Sequence, residues 1–599
     1  MKSIKPSSHT NGAIPQLLRR LWSHITPQRR RQFSLVLVLM ILASFAEIVS
    51  IGAVIPFLAV LTAPHRIFES PAAQPLIQFL GLTAPHQLLL PLTIAFGVAA
   101  LAAGAMRLLL LWANTRLSFA AGSDLSIDMY RRTLYQPYAV HVGRNSSEVI
   151  NGISIKAIDV IYYTIVPVLS IISAGIMLVA ILIAMLFVDP VIALAAFAGF
   201  GSIYAIITWL TRNRLLVNSQ STARDSTLVI KSLQEGLGGI RDVLLDGNQE
   251  TFCQIYRDAD RPLRRAQGST LFISSSPRLG MEALGMVVIA ALAYVLTQQT
   301  DGLAKAIPVL GALGLGAQRL LPILQQLYAS WSAIRGGQVS LQDTLELLDQ
   351  PLPEHADQPA PEPLPFRREI SLNKLSFRYS PQTPLVLKRI DLSISRGSRV
   401  GFIGVTGSGK STLLDILMGL LLPTEGTLAI DDHAITQSNH RAWQAHIAHV
   451  PQAIFLADCS IEANIAFGVP AEQIDHERVR RAAQQAQIAG TIEGWSRKYE
   501  TVVGERGIRL SGGQRQRIGI ARALYKQADV IIFDEATSAL DTDTEQAVMQ
   551  AIRELDEELT ILVIAHRLTT LNGCTQIVEI DNGIIVRTGS YRDIVSKTA

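Results

Sequence analysis

Six long apolar stretches, all within the first 335 positions, constrain this chain more than any other feature. Phe33 to Thr62 is apolar apart from Glu47 and a few small polar residues, and Leu88 to Ala113 is broken only by Arg107. Ile161 to Val188 and Pro190 to Leu210 hold no charge. Leu271 to Thr297 and Leu303 to Ser330 hold sparse ones, Arg278, Glu282, Lys305 and Arg319. A helix that crosses a bilayer needs about 20 mostly apolar residues, and each stretch reaches that length. Charged residues make up only 17% of the 599, against roughly a quarter in soluble proteins, and mean hydropathy is +0.29. The first stretch lies behind 32 residues and exceeds the core of a signal peptide, so it reads as a permanent anchor.

The basic residues orient the spans. Residues 1–32 carry seven Lys or Arg and no acid, the loop 63–87 has only Arg66, and segment 211–270 is rich in arginine again. Positive residues favour the cytoplasmic side, which places the N-terminus, segments 114–160 and 211–270, and the C-terminus inside. Leu125–Tyr135 and Asp225–Gln234 have helical spacing but no face wide enough for lipid, so membrane helices are expected to continue past the bilayer. Pro75–Gly81, in the outer loop, is a short amphipathic segment suited either to the outer membrane surface or to ordinary loop packing. A net charge of +4 over this length does not suggest a nucleic-acid binder. Cys253, Cys459 and Cys574 are too scattered for a disulfide framework or a metal cluster.

After Gln350 the composition changes. Six prolines from Pro351 to Pro365 predict a stiff extended linker. Beyond it, short β-rich runs (Arg399–Ile403, Ile447–Pro451, Val530–Phe533) alternate with helical stretches, the pattern of an α/β domain with a mostly parallel sheet. The expected organisation is a six-span helical membrane domain over 1–340, a linker over 341–365 and a P-loop ATPase domain over 366–599.

Gly404-Val405-Thr406-Gly407-Ser408-Gly409-Lys410-Ser411-Thr412 matches the phosphate-binding pattern G-x-x-x-x-G-K-[ST], after an apolar strand and before a helical stretch. Its glycines let backbone N–H groups approach phosphates at a helix N-terminus. Lys410 suits the β- and γ-phosphates and Ser411 suits Mg²⁺. Val530–Phe533 runs into Asp534-Glu535, an apolar strand ending in two carboxylates: Asp534 for Mg²⁺, Glu535 as base for the attacking water. Leu510-Ser511-Gly512-Gly513-Gln514 opens another helical stretch, where backbone donors and the helix dipole face an anion.

The ordered set Tyr379, Gly404–Thr412, Gln452, Leu510–Gln514, Asp534-Glu535, Ser538–Asp541 and His566 resembles the ATPase domain of ABC transporters, over about residues 366–595. The resemblance implies ATP and Mg²⁺ as bound groups and a head-to-tail dimer of such domains. It implies that Tyr379 stacks on adenine and that Gln452 links Mg²⁺ and water to the membrane domain. Ser511 and Gly513 then reach ATP held by the partner, Ser538–Asp541 crosses the dimer interface, and His566 contacts the γ-phosphate. Gly504–Gly507 resembles the segment with which exporters touch their membrane domain. Since every catalytic element is present, a homodimer with two active sites is expected.

Six spans ahead of such a domain resemble an exporter half-transporter, multi-pass in the bacterial inner membrane with its ATPase domain in the cytoplasm. Arg107, Arg278 and Arg319 lie within the spans, where an ionisable residue is costly unless it faces a wet cavity or a partner. They suggest a cavity for anionic groups such as phosphates, with salt bridging, Arg278 to Glu282 one turn on, as the alternative. Ser44–Ile48, Val54–Phe57, Ser276–Arg278, Glu282–Gly285 and Arg319–Pro322 look like bacterial flippases for lipid-linked oligosaccharides, although Gln326 stands where a further arginine is expected. The expected function is therefore ATP-driven outward flipping of a polyprenyl-diphosphate-linked glycan or similar amphiphile. Export of drugs, other lipids or peptides is the runner-up, and an ATP-gated channel or regulator stands further off.

Overall fold

The computed structural model describes residues 13–595 except 63–64, 66–67, 70–73, 75–76, 79–80, 189, 298–319, 535–544, 547–549, 551–557, 565–570 and 572. The chain divides into two compact units. The first comprises residues 13–136 and 144–352, and the second Pro137–Gly143 with the residues from Pro353 onward.

The first unit is helical. Among the described residues, three helical stretches are long and apolar enough to cross a membrane: Pro27–Ser50, Pro85–Leu134 and Ser146–Ile183. The fourth and fifth apolar stretches lie in the helices Pro190–Gly238 and Gln249–Thr297. Most of the sixth, 303–319, falls outside the described residues, as does much of the outer segment 75–81. At 1.5 Å per residue the 46-residue helix Leu89–Leu134 is roughly 69 Å long, over twice the hydrocarbon thickness, so it extends beyond a bilayer. Its extension buries Leu117, Ala121, Leu125 and Met129, which recur at intervals of four on one face.

That face packs with Leu17 and Leu21 from the N-terminal helix Ile14–His24, with Ile25 just past its end, and with Leu341, Leu345 and Leu348. The last three belong to the helix Gln338–Leu348. Residues 341–348, read from the sequence as the beginning of the linker, are therefore packed helix. Burial of the apolar stripe Leu341/Leu345/Leu348 outweighs the extended character of the prolines that follow. Asp349, at the end of this helix, pairs with Arg20 and with His24 Nε2 at 2.8 Å.

The second unit holds two sheets. An antiparallel one has the order β2-β1-β4-β5: β1 is Glu369–Phe377, β2 Leu387–Ser395, β4 Glu425–Ile430 and β5 His433–Ala434. The other has the order β10-β9-β3-β8-β7-β6: β3 is Arg399–Ile403, β6 Ile447–Val450, β7 Val530–Asp534, β8 Thr560–Ile564, β9 Gln576–Asp581 and β10 Ile584–Gly589. Strands β6, β7, β8, β3 and β9 are mutually parallel, and β10 pairs antiparallel at the edge. The alternation of a pleated strand divides its side chains between two cores. Val530 and Ile532 join the cluster that contains Leu413, Leu414 and Leu417. Ile531 and Phe533 face the other, with Ile518, Ile520 and Ala521. Both faces of the strands are thus covered, which explains their continuous apolar runs.

Candidate ATP site

Because five strands are parallel, their C-terminal ends line one edge of the sheet, where open α/β sheets bind ligands. Gly404 follows β3, Gln452 lies two residues past β6, and Asp534 ends β7 opposite Ile564 at the end of β8. Topology alone brings together three motifs separated by up to 130 residues.

The phosphate loop is shaped by its backbone. Gly404 has φ +150° and Gly409 φ +105°. A Cβ on Gly404 would lie 2.1 Å from the Ile580 carbonyl oxygen, and one on Gly409 would lie 2.9 Å from Leu387, so neither place admits a side chain. Gly409 is the N-cap of the helix Lys410–Leu417, whose first N–H groups open toward the loop. Lys410 is 7% exposed, and its ammonium donates to the carbonyls of Gly404 (2.8 Å) and Val405 (2.9 Å). Val405, Thr406 and Gly407 form the exposed tip, Ser408 is buried, and Ser411 is exposed on the first turn of the helix. Tyr379, half exposed, sits with its hydroxyl 3.0 Å from that of Thr412 and its ring edge-on to Phe377 at 5.0 Å.

Ser411, Asp534 and Gln452 offer hydroxyl, carboxylate and amide oxygens, the hard donors that Mg²⁺ prefers. Asp415, on the loop's own helix, was not singled out in the sequence. Burial, reinforced by the negative charge of Asp534, pushes its carboxyl up to about 6. Two carboxylates near enough for the charge of one to raise the other, beside a phosphate loop, make a surrounding that favours a divalent cation, so the donor set fits the metal. The position of Asp415 on the helix after the loop was the available signal, but its neighbour Asp534 comes from a strand over a hundred residues away.

Ser511 is the N-cap of the helix Gly512–Tyr525. Its Oγ accepts from Gln514 N–H (3.2 Å), and Gln514 Oε1 accepts from Ser511 N–H (2.9 Å), a reciprocal capping box. The capping role uses a lone pair of the hydroxyl and leaves its proton available for an anion. Gly512 and Gly513 form the first turn. Leu510 and Ile518 belong to one hydrophobic cluster and the phosphate-loop helix to the other, so each motif is anchored in a separate core. Gly504 and Gly507 have positive φ around the turn Glu505–Gly507. Glu535, Ser538–Asp541 and His566 lie outside the described residues. Glu535 directly follows β7, and His566 comes two residues after β8.

In the first unit, Arg107 pairs with Glu47, whose side chain is buried. Arg278 Nε donates to Glu282 at 2.7 Å, one turn along the same helix. Both guanidinium side chains are 57% exposed. Arg319 lies outside the described residues. The ion-pair alternative thus accounts for an immediate partner of both described arginines.

Comparison with known proteins agrees with this architecture. The ABC transporter family matches residues 387–538, and the ABC transporter transmembrane region matches residues 7–303. A protein of Alkalilimnicola ehrlichii named ATP-dependent lipid A-core flippase is 31% identical over 404 residues, 66% of this chain and 67% of that one. Another of the same name, from Cupriavidus metallidurans, is 26% identical over 97% of this chain and 94% of its own. The structure of a bacterial Atm1-family ABC exporter with ATP bound superposes with a TM-score of 0.75 over 95% of this chain and 96% of its own, at 24% identity, and shows the shared fold. A phosphate loop on a parallel sheet, a capped Ser-Gly-Gly helix and a membrane-spanning helical half on the same chain make this protein an ATP-hydrolysing exporter of the ABC transporter family.

Proposed function

We propose that the protein flips an amphiphile with a phosphate-bearing headgroup, in the first instance a polyprenyl-diphosphate-linked oligosaccharide, outward across the bacterial inner membrane. The observation that carries this reading is the state of Arg107 and Arg278. Each sits in an apolar stretch of a long helix, each is held by one carboxylate, and each stays more than half exposed. A guanidinium has five N–H donors, so one carboxylate contact leaves others for a second anion. The carboxylate lowers the cost of keeping the arginine among apolar residues, and the remaining donors suit a diphosphate. The names of the relatives favour a second reading within the same chemistry, a phosphorylated glycolipid of the lipid A-core type.

In this reading six spans per chain make a twelve-helix core in a homodimer, with the ATPase domains in the cytoplasm. Tyr379 stacks on adenine. The phosphate loop and Lys410 hold the β- and γ-phosphates, and Ser511 and Gly513 of the partner chain close over the γ-phosphate. Ser411, Asp534 and Gln452 hold Mg²⁺, which offsets the charge developing on the transferred phosphoryl group. Glu535 takes the proton of the attacking water, and His566 contacts the γ-phosphate.

The test is flipping in proteoliposomes, with fluorescent polyprenyl-diphosphate glycan and lipid A-core offered in parallel. Arg278→Ala and Arg319→Ala should slow flipping several-fold while basal ATP hydrolysis in detergent persists, and Arg278→Lys should rescue only in part. Normal flipping in both Ala variants would remove the charge argument and turn the search to neutral or cationic amphiphiles.

A further inference from the structure

The helix Gln249–Thr297 runs without interruption through Pro277. Proline has no N–H, so the carbonyl four residues earlier, that of Ile273, loses its helical donor. Within an apolar helical bundle that oxygen must find another. It does: the Tyr328 hydroxyl donates to the Ile273 carbonyl oxygen at 3.1 Å. Tyr328 is 4% exposed and belongs to the helical residues 320–336.

A third helix takes part. Thr211 Oγ1, in the helix Pro190–Gly238, lies 3.3 Å from the Tyr328 oxygen. Thr211 gives its proton to the Ile207 carbonyl oxygen at 2.8 Å, and Tyr328 gives its proton to Ile273, so the contact between the two hydroxyls is the weaker one. The Tyr328–Ile273 bond therefore ties two helices at the point where one has lost its own bond, with Thr211 of the third in contact beside it. Met281, one turn past Pro277, is buried in the same cluster as Tyr204 and Tyr328. The Arg278–Glu282 pair follows the break directly.

We propose that Pro277 is a hinge in this helix and that Tyr328 is its latch. A helix's own N–H moves with the turn it closes, whereas a hydroxyl from another helix can be withdrawn without unwinding that turn. The path of the helix at Pro277 thus depends on the position of residues 320–336, and withdrawal of Tyr328 frees the segment beyond Pro277, with Arg278, to reorient during transport. The latch acts through helix geometry whichever amphiphile is carried.

The experiment is a double-mutant cycle on the full-length protein. Spin labels at Leu271 and Met286, two exposed positions on either side of the break, report the bend in a background with the three native cysteines replaced. In the parent protein the distance should differ by several ångströms between nucleotide-free and ADP–vanadate-trapped samples. Tyr328→Phe, which keeps the ring and removes the donor, should broaden the nucleotide-free distribution about twofold and lower the melting temperature. Pro277→Ala restores a backbone donor for Ile273, so the distance should no longer change on trapping. Tyr328→Phe added to Pro277→Ala should then produce no broadening. Equal broadening in both backgrounds would show that Tyr328 only packs, and no broadening in either would remove the latch. A distance unchanged by trapping in the parent would remove the hinge. All three results are independent of which lipid is transported, so they stand apart from the test of the proposed substrate.

Discussion

The ATPase half and the membrane half carry function in different materials. In the ATPase half the phosphate loop is backbone: left-handed glycines, a helix start and a strand end, each enforced by local geometry. In the membrane half the backbone is almost all helix, and individual side chains supply the polar contacts, Arg107 with Glu47, Arg278 with Glu282, Tyr328 with Ile273. Backbone sites announce themselves as short contiguous patterns, because a turn needs particular residues at adjacent positions. Side-chain sites between helices are assembled from residues far apart in sequence and leave no such pattern.

The sharpest break in this comparison comes from the ATPase half. Glu535→Gln should lower ATP turnover by about 10²–10⁴-fold while nucleotide binding persists, since the shape and the proposed Mg²⁺ ligand Asp534 remain. A hydrolysis assay beside an ATP-binding assay checks it, and turnover like that of the parent would show the base to be misassigned. Lys410→Ala and Ser511→Ala should each inactivate. In the proposed homodimer, a mixed dimer of the two retains one intact composite site and should exceed either mutant homodimer in hydrolysis.

Next in size is an effect confined to the membrane half. Arg107→Ala leaves the buried Glu47 carboxylate without its arginine, a lesion of the kind that costs about 3–5 kcal/mol when fully buried. The exposure of the arginine side argues for the lower end. Thermal unfolding should show a clear drop, and Glu47→Gln should recover part of it. If Arg107→Ala unfolds like the parent protein, the pair is not structural.

A smaller effect, specific to pH, is expected at Asp415. Its carboxyl titrates at about 6 in the fold, against 3.8 ordinarily, so the folded state holds the proton more tightly. The resulting stability is complete below about pH 4 and is lost as pH rises toward 6. Asp415→Asn should flatten this window and leave the variant more stable than the parent above pH 6. Discounted for partial exposure, the gain is about 1 kcal/mol, or roughly 2–4 °C in melting temperature. The smallest effect is expected for Arg278→Ala on stability, below about 1 kcal/mol, because both partners of that pair are exposed. A drop as large as that of Arg107→Ala would erase the distinction between the two arginines.

The amino-acid sequence by itself determined the division into an apolar helical half and an α/β half, the phosphate loop at 404–412 and the helix start at Ser511. Each follows from local periodicity or from residues within one turn of chain. Even the Arg278–Glu282 pair was legible, since four residues on a helix make one turn. Tertiary structure alone decided that 341–348 is packed helix, because a stripe at 341, 345 and 348 has no value until a facing stripe at 121, 125 and 129 meets it. It alone set Asp415 against Asp534, Glu47 against Arg107, and Tyr328 on the carbonyl that Pro277 leaves without its helical donor. Such contacts depend on which helices and strands become neighbours. That choice is made by the free energy of burying whole faces at once, and no short window of sequence contains it.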